Sequence, residues 1–289
     1  EFRRVLFRSA DKFKLGTFAK EDRIIKKINI NECELYDVDG APITIESKLG
    51  SGGEGTVYIV NNGMACKVFN EITENRVNKL KLMVGKINYN GICSPKQLVY
   101  DKDGTVVGYL MDRAEGKPLK LLLTGIPVLK RNFPNWKKMH VVKLCLTILD
   151  KIKYLHSKNI ILGDINPQNI LVKDENTVYF IDTDSYQIEN YCCPVGTDAF
   201  TPPELIRKNF KSILRTFENE YFTVAVLMFM ILMYGKHPYS KVGGGNLVDN
   251  IKEGEFPYSA DDKGKVPPGK WGLIWTHLPY DIKNLFIKA

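Results

Sequence analysis

The chain has 289 residues, of which 44% are apolar, 11% aromatic and 26% charged, with a formal net charge of +8. That balance describes a globular protein with a sizeable core, arranged as one large domain or two lobes. The surplus Lys and Arg are scattered, with no block of five or six like charges, which argues against a nucleic-acid partner.

The opening "EFRRVLFRS" resembles a translated sequencing-adapter scar and is set aside. Residues 10–40 are polar and irregular and read as a leader, so residues 1–40 stand outside the expected fold. From Ile43 the pattern changes. "ITIESKLG" (43–50), "TVYIV" (56–60), "MACKVF" (64–69) and "VVGYLM" (106–111) are short, β-rich and bounded by turn residues. "NNG" at 61–63 is a hairpin signal between the second and third. A helical stretch, "ENRVNKLKLMV" (74–84), interrupts the strands.

After "EGKPL" (115–119) the character turns helical. Asn135, preceded by Pro134, is the expected N-cap of a helix. Val142, Cys145, Leu149, Ile152 and Leu155 follow at helical spacing. Two short strands are expected around Asn169–Val172 and Val178–Ile181, then a loop containing "TPPE", then an apolar helix at 221–234. Its run "VAVLMFMILM" (224–233) is shorter than the roughly 20 residues that span a bilayer, and reads as a buried helix. Two Trp-containing segments close the chain. The expected architecture is α+β and two-lobed, with a small antiparallel β lobe plus one helix over 41–112 and a larger helical lobe over 113–289, incomplete at its end. A cleft would separate them. The six cysteines form no C-x-x-C pair, a usage that suits a reducing cytosol and a cytoplasmic protein. No secretory signal is evident.

Several residues in this frame carry chemistry. "GSGGEGTV" (50–57) fits G-x-G-x-x-G-x-V between two strands. Gly50, Gly52 and Gly55 allow a tight hairpin whose backbone approaches phosphates. A strand rather than a helix follows, which disfavours a dinucleotide site. Ten residues after Val57 lies Lys67, either snorkelling or placing a cation in the cleft beneath that loop. Asp164 and Asn169 lie five apart in "LGDINPQNILV", and Asp182 follows thirteen later at the end of "VYFI". A hydroxyl attacking a phosphoryl group needs a carboxylate to accept its proton, and Mg²⁺ needs oxygen ligands such as Asn and Asp.

Taken together these motifs resemble the eukaryotic-type (Hanks-type) protein kinase superfamily from about residue 43 onward. More narrowly, "GGEGTVY", "GDINPQNILV", "FIDTDSYQI" and "FTPPEL" resemble a bacterial subgroup. The resemblance implies ATP and Mg²⁺ as cofactors. It implies that Gly50, Gly52 and Gly55 cover the phosphates and that Lys67 binds the α- and β-phosphates. The nucleotide would also meet Val57, Ala65, the gatekeeper Met111, and the backbone of Asp112 and Ala114. Asp164 would be the catalytic base, with Asn166 and Thr197 beside it, and Asn169 and Asp182 the metal ligands. "GTDAFTPPEL" (196–205) resembles the end of an activation segment, and Glu220 stands where protein kinases keep an Asp.

Departures from the pattern carry expectations of their own. The usual H-R-D is Leu162-Gly163-Asp164. The missing Arg is the residue that pairs with an activation-loop phosphate, so phosphate-independent activity is expected. Asn166 replaces a Lys and cannot neutralise charge, which implies a modest or slow catalyst. D-F-G is Asp182-Thr183-Asp184, which restricts the flip of that motif. Glu74 is the expected helix partner of Lys67, one turn before Asn78. Glu204 lacks its usual Arg, since none follows Arg215. The expected function is ATP-dependent phosphorylation of Ser or Thr in protein substrates. Further partners implied are a phosphatase and a von Willebrand factor A-type protein, with no nucleic acid and no membrane. A small-molecule phosphotransferase and a nucleotide-binding pseudokinase scaffold are the alternatives.

Overall fold

The computed structural model describes residues 22–259 and 264–289. The scar-like opening lies outside the described residues. The first lobe is built from β1 (Ile24–Lys27), β2 (Leu35–Tyr36), β3 (Pro42–Ile43), β4 (Ile45–Ser51), β5 (Gly55–Val60), β6 (Ala65–Phe69), β7 (Glu71–Thr73), α1 (Glu74–Met83), β8 (Gln97–Tyr100) and β9 (Val106–Met111). Seven of these strands form one antiparallel sheet in the order β3-β2-β8-β9-β6-β5-β4. "NNG" makes the β5–β6 turn, with Gly63 N–H donating to Val60 O at 2.8 Å.

Side chains alternate across β6. Ala65 and Phe69 face a core shared with Val77 and Leu80 of α1, and Cys66 and Val68 face a second core on the opposite side. Thr73 caps α1, its side chain accepting from Arg76 N at 3.3 Å.

Residues 22–40 are not the irregular leader expected from their polarity. β1 pairs with β7, and β2 joins the seven-stranded sheet. Ile28, Ile30, Cys33 and Leu35 pack on the second core, while Ile24, Ile25 and Val38 are exposed. Ile28 and Ile30, and Cys33 and Leu35, are each two residues apart, but Asn31 and Glu32 between the pairs put them out of phase.

The second lobe contains β10 (Lys117–Pro118), α2 (Lys120–Leu123), α3 (Ile126–Asn132), α4 (Lys138–Ser157), β11 (Ile160–Ile161), β12 (Ile170–Val172), β13 (Val178–Phe180), β14 (Gln187–Ile188), α5 (Phe217–Leu232), α6 (Leu247–Glu253), α7 (Trp271–Thr276) and α8 (Tyr280–Lys288). α4 begins three residues after Asn135, at Lys138, because the backbone N–H of its N-cap Lys137 is taken by His140 Nδ1 at 3.2 Å. Its buried face is Val141, Leu144, Cys145, Ile148, Ile152 and Leu155, while Val142 and Leu149 are exposed. Cys145, Ile152 and Leu155 are thus buried as expected, while Val141 and Ile148 take the places of Val142 and Leu149. α5 starts at Phe217, ahead of its apolar run, because Thr216 and Asn219 cap one another reciprocally. Trp271 and Trp275 share the single short helix α7 rather than two segments. No helix among the described residues is long and apolar enough to cross a membrane.

Candidate active site between the two lobes

The β12–β13 hairpin brings the candidate residues of the two flanking loops together. Ile170 pairs with Phe180, and Ile181 N–H donates to Asn169 O at 2.9 Å. The loop before β12 and the residues after β13 are thereby brought to one place. The loop is held by its own turns: Asp164 N–H donates to Leu162 O, Asn169 N–H to Asn166 O, and Gln168 N–H to Asn166 Oδ1, each at 2.9 Å. Asp182, next to Asn169, is exposed and adopts a left-handed backbone with φ +58°, a conformation Asp tolerates better than most residues.

A short polar chain joins this loop to the segment that follows. Thr197 Oγ1 donates to Asp164 Oδ1 at 2.8 Å, and Asn166 Nδ2 donates to Thr197 Oγ1 at 3.2 Å. Both ends of the Asn166 amide are thus engaged. Burial pushes the Asp164 carboxyl above the ordinary Asp value, against the lowering effect of the Thr197 hydrogen bond and the nearby Arg215 cation. Beneath the loop, Glu220 is buried, accepts from Gly163 N–H at 2.7 Å, and lies 2.7 Å from His156 Nε2. Glu204 accepts from Asn219 Nδ2 at 2.7 Å, so an amide of α5 takes the place of the expected Arg.

Lys67 is buried and aims into the cleft from β6. Its Nζ donates to Asp182 Oδ1 at 2.5 Å and to Asp184 Oδ1 at 2.7 Å. Glu74 is not its partner: that side chain is exposed at the start of α1. The carboxylate comes instead from the second Asp of Asp182-Thr183-Asp184. Tyr109, directly across the β6–β9 ladder from Lys67, donates its hydroxyl to the same Asp184 oxygen at 2.7 Å. Burial alone would push Asp184 up, but the Lys67 cation and the two hydrogen bonds hold it below the usual Asp value. Desolvation acts downward on Lys67, and the two carboxylates overcome it and raise it. Thr183 is fully buried and donates to Cys93 O at 3.0 Å, pinning the motif to the loop between α1 and β8. α1 reaches the segment through a different charge, with Lys79 Nζ donating to Ser185 O at 2.9 Å and Cys192 O at 3.3 Å.

The remaining expected contacts divide between a buried core and the surface. Ala65 and Met111 are buried in the α1-side core, with Val57, Ala114 and Ile181 packed against it. The Asp112 side chain pairs outward with Lys96 at 2.6 Å. Gly50 and Gly52 are exposed in the β4–β5 hairpin with open space where a Cβ would stand. Gly55 is different: a Cβ there would lie 2.4 Å from Val68 O, so close strand approach demands glycine.

A family model described as "Protein kinase domain" matches residues 43–268. The chain belongs to the protein kinase domain family. The kinase domain is 27% identical over 275 residues to "Protein kinase YegI" of Escherichia coli K12, covering 89% of this chain and 42% of that protein. The O157:H7 form of that protein is 28% identical over 274 residues, with 88% and 42% covered. "Probable serine/threonine-protein kinase irlC" of Dictyostelium discoideum is 25% identical over 220 residues, covering 67% of this chain and 14% of that protein. The chain therefore spans less than half the length of the curated relatives it matches.

The kinase domain's residues suit a magnesium nucleotide. Asn169 and Asp182 supply the hard oxygen donors that Mg²⁺ prefers, and phosphate oxygens complete such sites. Gly50 and Gly52 leave the hairpin backbone open where side chains would otherwise stand.

Proposed function

We propose that this kinase domain transfers the γ-phosphoryl group of ATP to Ser or Thr hydroxyls of protein substrates. The observation that carries the reading is the Asn166–Thr197–Asp164 hydrogen-bond chain. It ties a half-buried carboxylate to the segment on which a peptide would lie. Asp164 would orient the substrate hydroxyl and accept its proton. Its upward shift by burial makes it a better base than a free Asp. Lys67, set by Asp184, would hold the nucleotide phosphates, and the glycine hairpin would cover them. Asn169 and Asp182 would hold Mg²⁺, which neutralises charge on the phosphates when bound. The protein's own contribution is then positioning and fixed charge.

Other readings rest on less. Six free cysteines fit a reducing cytoplasm. A bacterial origin agrees with the YegI relatives. A phosphatase and a von Willebrand factor A-type protein are proposed as partners on the motif resemblance alone, and co-purification with the full-length protein tests them. The catalytic proposal is tested by incubating full-length protein with γ-labelled ATP, Mg²⁺ and a mixed Ser/Thr/Tyr protein substrate. Label in phosphoserine or phosphothreonine, lost in Asp164→Asn, is expected. Nucleotide binding without transfer would identify a scaffold, and label on a small molecule only would identify a different phosphotransferase.

A further inference from the structure

Gly163 stands where related kinases place an Arg, and the space a side chain would fill is already occupied. A Cβ on Gly163, whose φ is +75°, would lie 2.5 Å from Cys193 Cβ and 2.6 Å from Arg215 Nη1. Arg215 sits just before α5, far along the chain, and is buried. Its Nη1 donates to Cys193 O at 2.8 Å and its Nη2 to Val195 O at 2.6 Å. Its guanidinium stacks 4.2 Å from the Phe210 ring centre. Its backbone is clamped by Gln187, which accepts from Arg215 N–H at 2.7 Å and donates to Arg215 O at 2.8 Å.

We propose that Arg215 is the positioning residue that permanently seats residues 193–197 on the catalytic loop. The guanidinium binds two backbone carbonyls, so the seat needs no phosphorylated side chain. Two residues beyond Val195, Thr197 is thereby delivered to Asp164. The absent Arg at position 163 and the cation from position 215 are one exchange: glycine makes the room and Arg215 fills it. The fork geometry suits two carbonyls side by side, a task a lysine performs less well.

This inference deepens the kinase reading, so its test has one readout that does not depend on phosphate transfer. Cys193 is fully buried behind Arg215, while the adjacent Cys192 is partly exposed. Burial pushes both thiols up, so the contrast between them is one of access. Full-length wild type, Arg215→Lys, Arg215→Met and Gly163→Ala are treated with iodoacetamide under native conditions, and each cysteine is followed by mass spectrometry. In wild type Cys192 reacts and Cys193 is protected. Arg215→Met and Gly163→Ala are expected to speed Cys193 alkylation at least tenfold relative to Cys192, with Arg215→Lys between them. Transfer to peptide is measured in parallel on enzyme treated with phosphatase and shown by mass spectrometry to carry no phosphate on residues 183–201. Wild type is expected to keep its rate, and Arg215→Met to lose at least tenfold in kcat, partly recovered in Arg215→Lys. If Arg215→Met does not fold, Arg215→Lys and Gly163→Ala carry the same comparison. Wild-type protection of Cys193 in these variants, or activity lost on dephosphorylation, overturns the proposal. A wild type that transfers no phosphate fails the kinase reading alone, and Cys193 protection still decides the seat.

Discussion

Asp184, not a glutamate of α1, is the buried anion that holds Lys67. The contact joins two residues 117 positions apart at 2.7 Å, with Tyr109 donating to the same oxygen. In this arrangement Lys67 is set by the motif that also supplies Asp182. Its orientation is coupled to residues 182–184 rather than to Glu74 of α1.

Asp184→Asn is therefore expected to damage both fold and nucleotide binding. Breaking a buried ion pair costs on the order of 3–5 kcal/mol, less whatever Asp182 recovers as the remaining partner. Glu74→Gln, at an exposed position, is expected to change stability by less than about 0.5 kcal/mol. Urea unfolding and nucleotide titration of both variants check the contrast, and equal losses in the two would refute it.

The pH profile of transfer follows from Asp164. Its carboxylate must be ionised to accept a proton, so rate is full above its pKa and falls below it. Burial raises that pKa above the ordinary 3.8, so the acidic limb of kcat is expected above that value. Thr197→Val deletes a hydrogen bond to the carboxylate and should move the limb further up. A limb that stays put or moves down in that variant contradicts the assignment.

His237 sets a second pH dependence, on stability. Burial lowers its pKa from 6.5 to about 4, while Nε2 lies 2.7 Å from Ala199 O. The unfolded chain binds the extra proton between those values. Stability from this group is therefore complete above about pH 6.5 and declines as the pH falls toward 4. At about 1.4 kcal/mol per unit, the loss is on the order of 3 kcal/mol. Unfolding free energies at several pH values should fall less steeply in His237→Gln.

The glycines of the hairpin divide by role. Gly55→Ala should destabilise by roughly 1–3 kcal/mol, because the added methyl meets a carbonyl that cannot retreat from the sheet. Gly52→Ala has open space and should keep its melting temperature while weakening nucleotide binding. Thermal unfolding with and without nucleotide separates the two.

Local patterns made much of this site legible. Lys67 stood out as a charge between apolar neighbours, and the strand alternation that buries Ala65 and Phe69 on one face also aims it. Asn169 and Asp182 could be read as neighbours because only the short β12–β13 hairpin separates them, with Asp164 five residues before Asn169. Asp184 stood in the sequence only as the residue in place of the D-F-G glycine, since its partners come from β6 and β9 and no spacing reveals them. Arg215 was hidden for a related reason: it binds backbone carbonyls, which carry no sequence signature. The strands within residues 22–40 were missed because their apolar residues gain meaning only against a preformed sheet.

The most direct measurement of the central claim compares chemistry with binding in Asp164→Asn. Full-length wild type and variant are titrated with ATP and Mg²⁺, and transfer to a Ser/Thr peptide is timed in both. A base that accepts the substrate proton contributes about 10²–10⁴-fold. The expected result is a loss of that size in kcat, with nucleotide affinity within about threefold of wild type. Unchanged transfer in the variant, or none by wild type that binds nucleotide, would contradict the account.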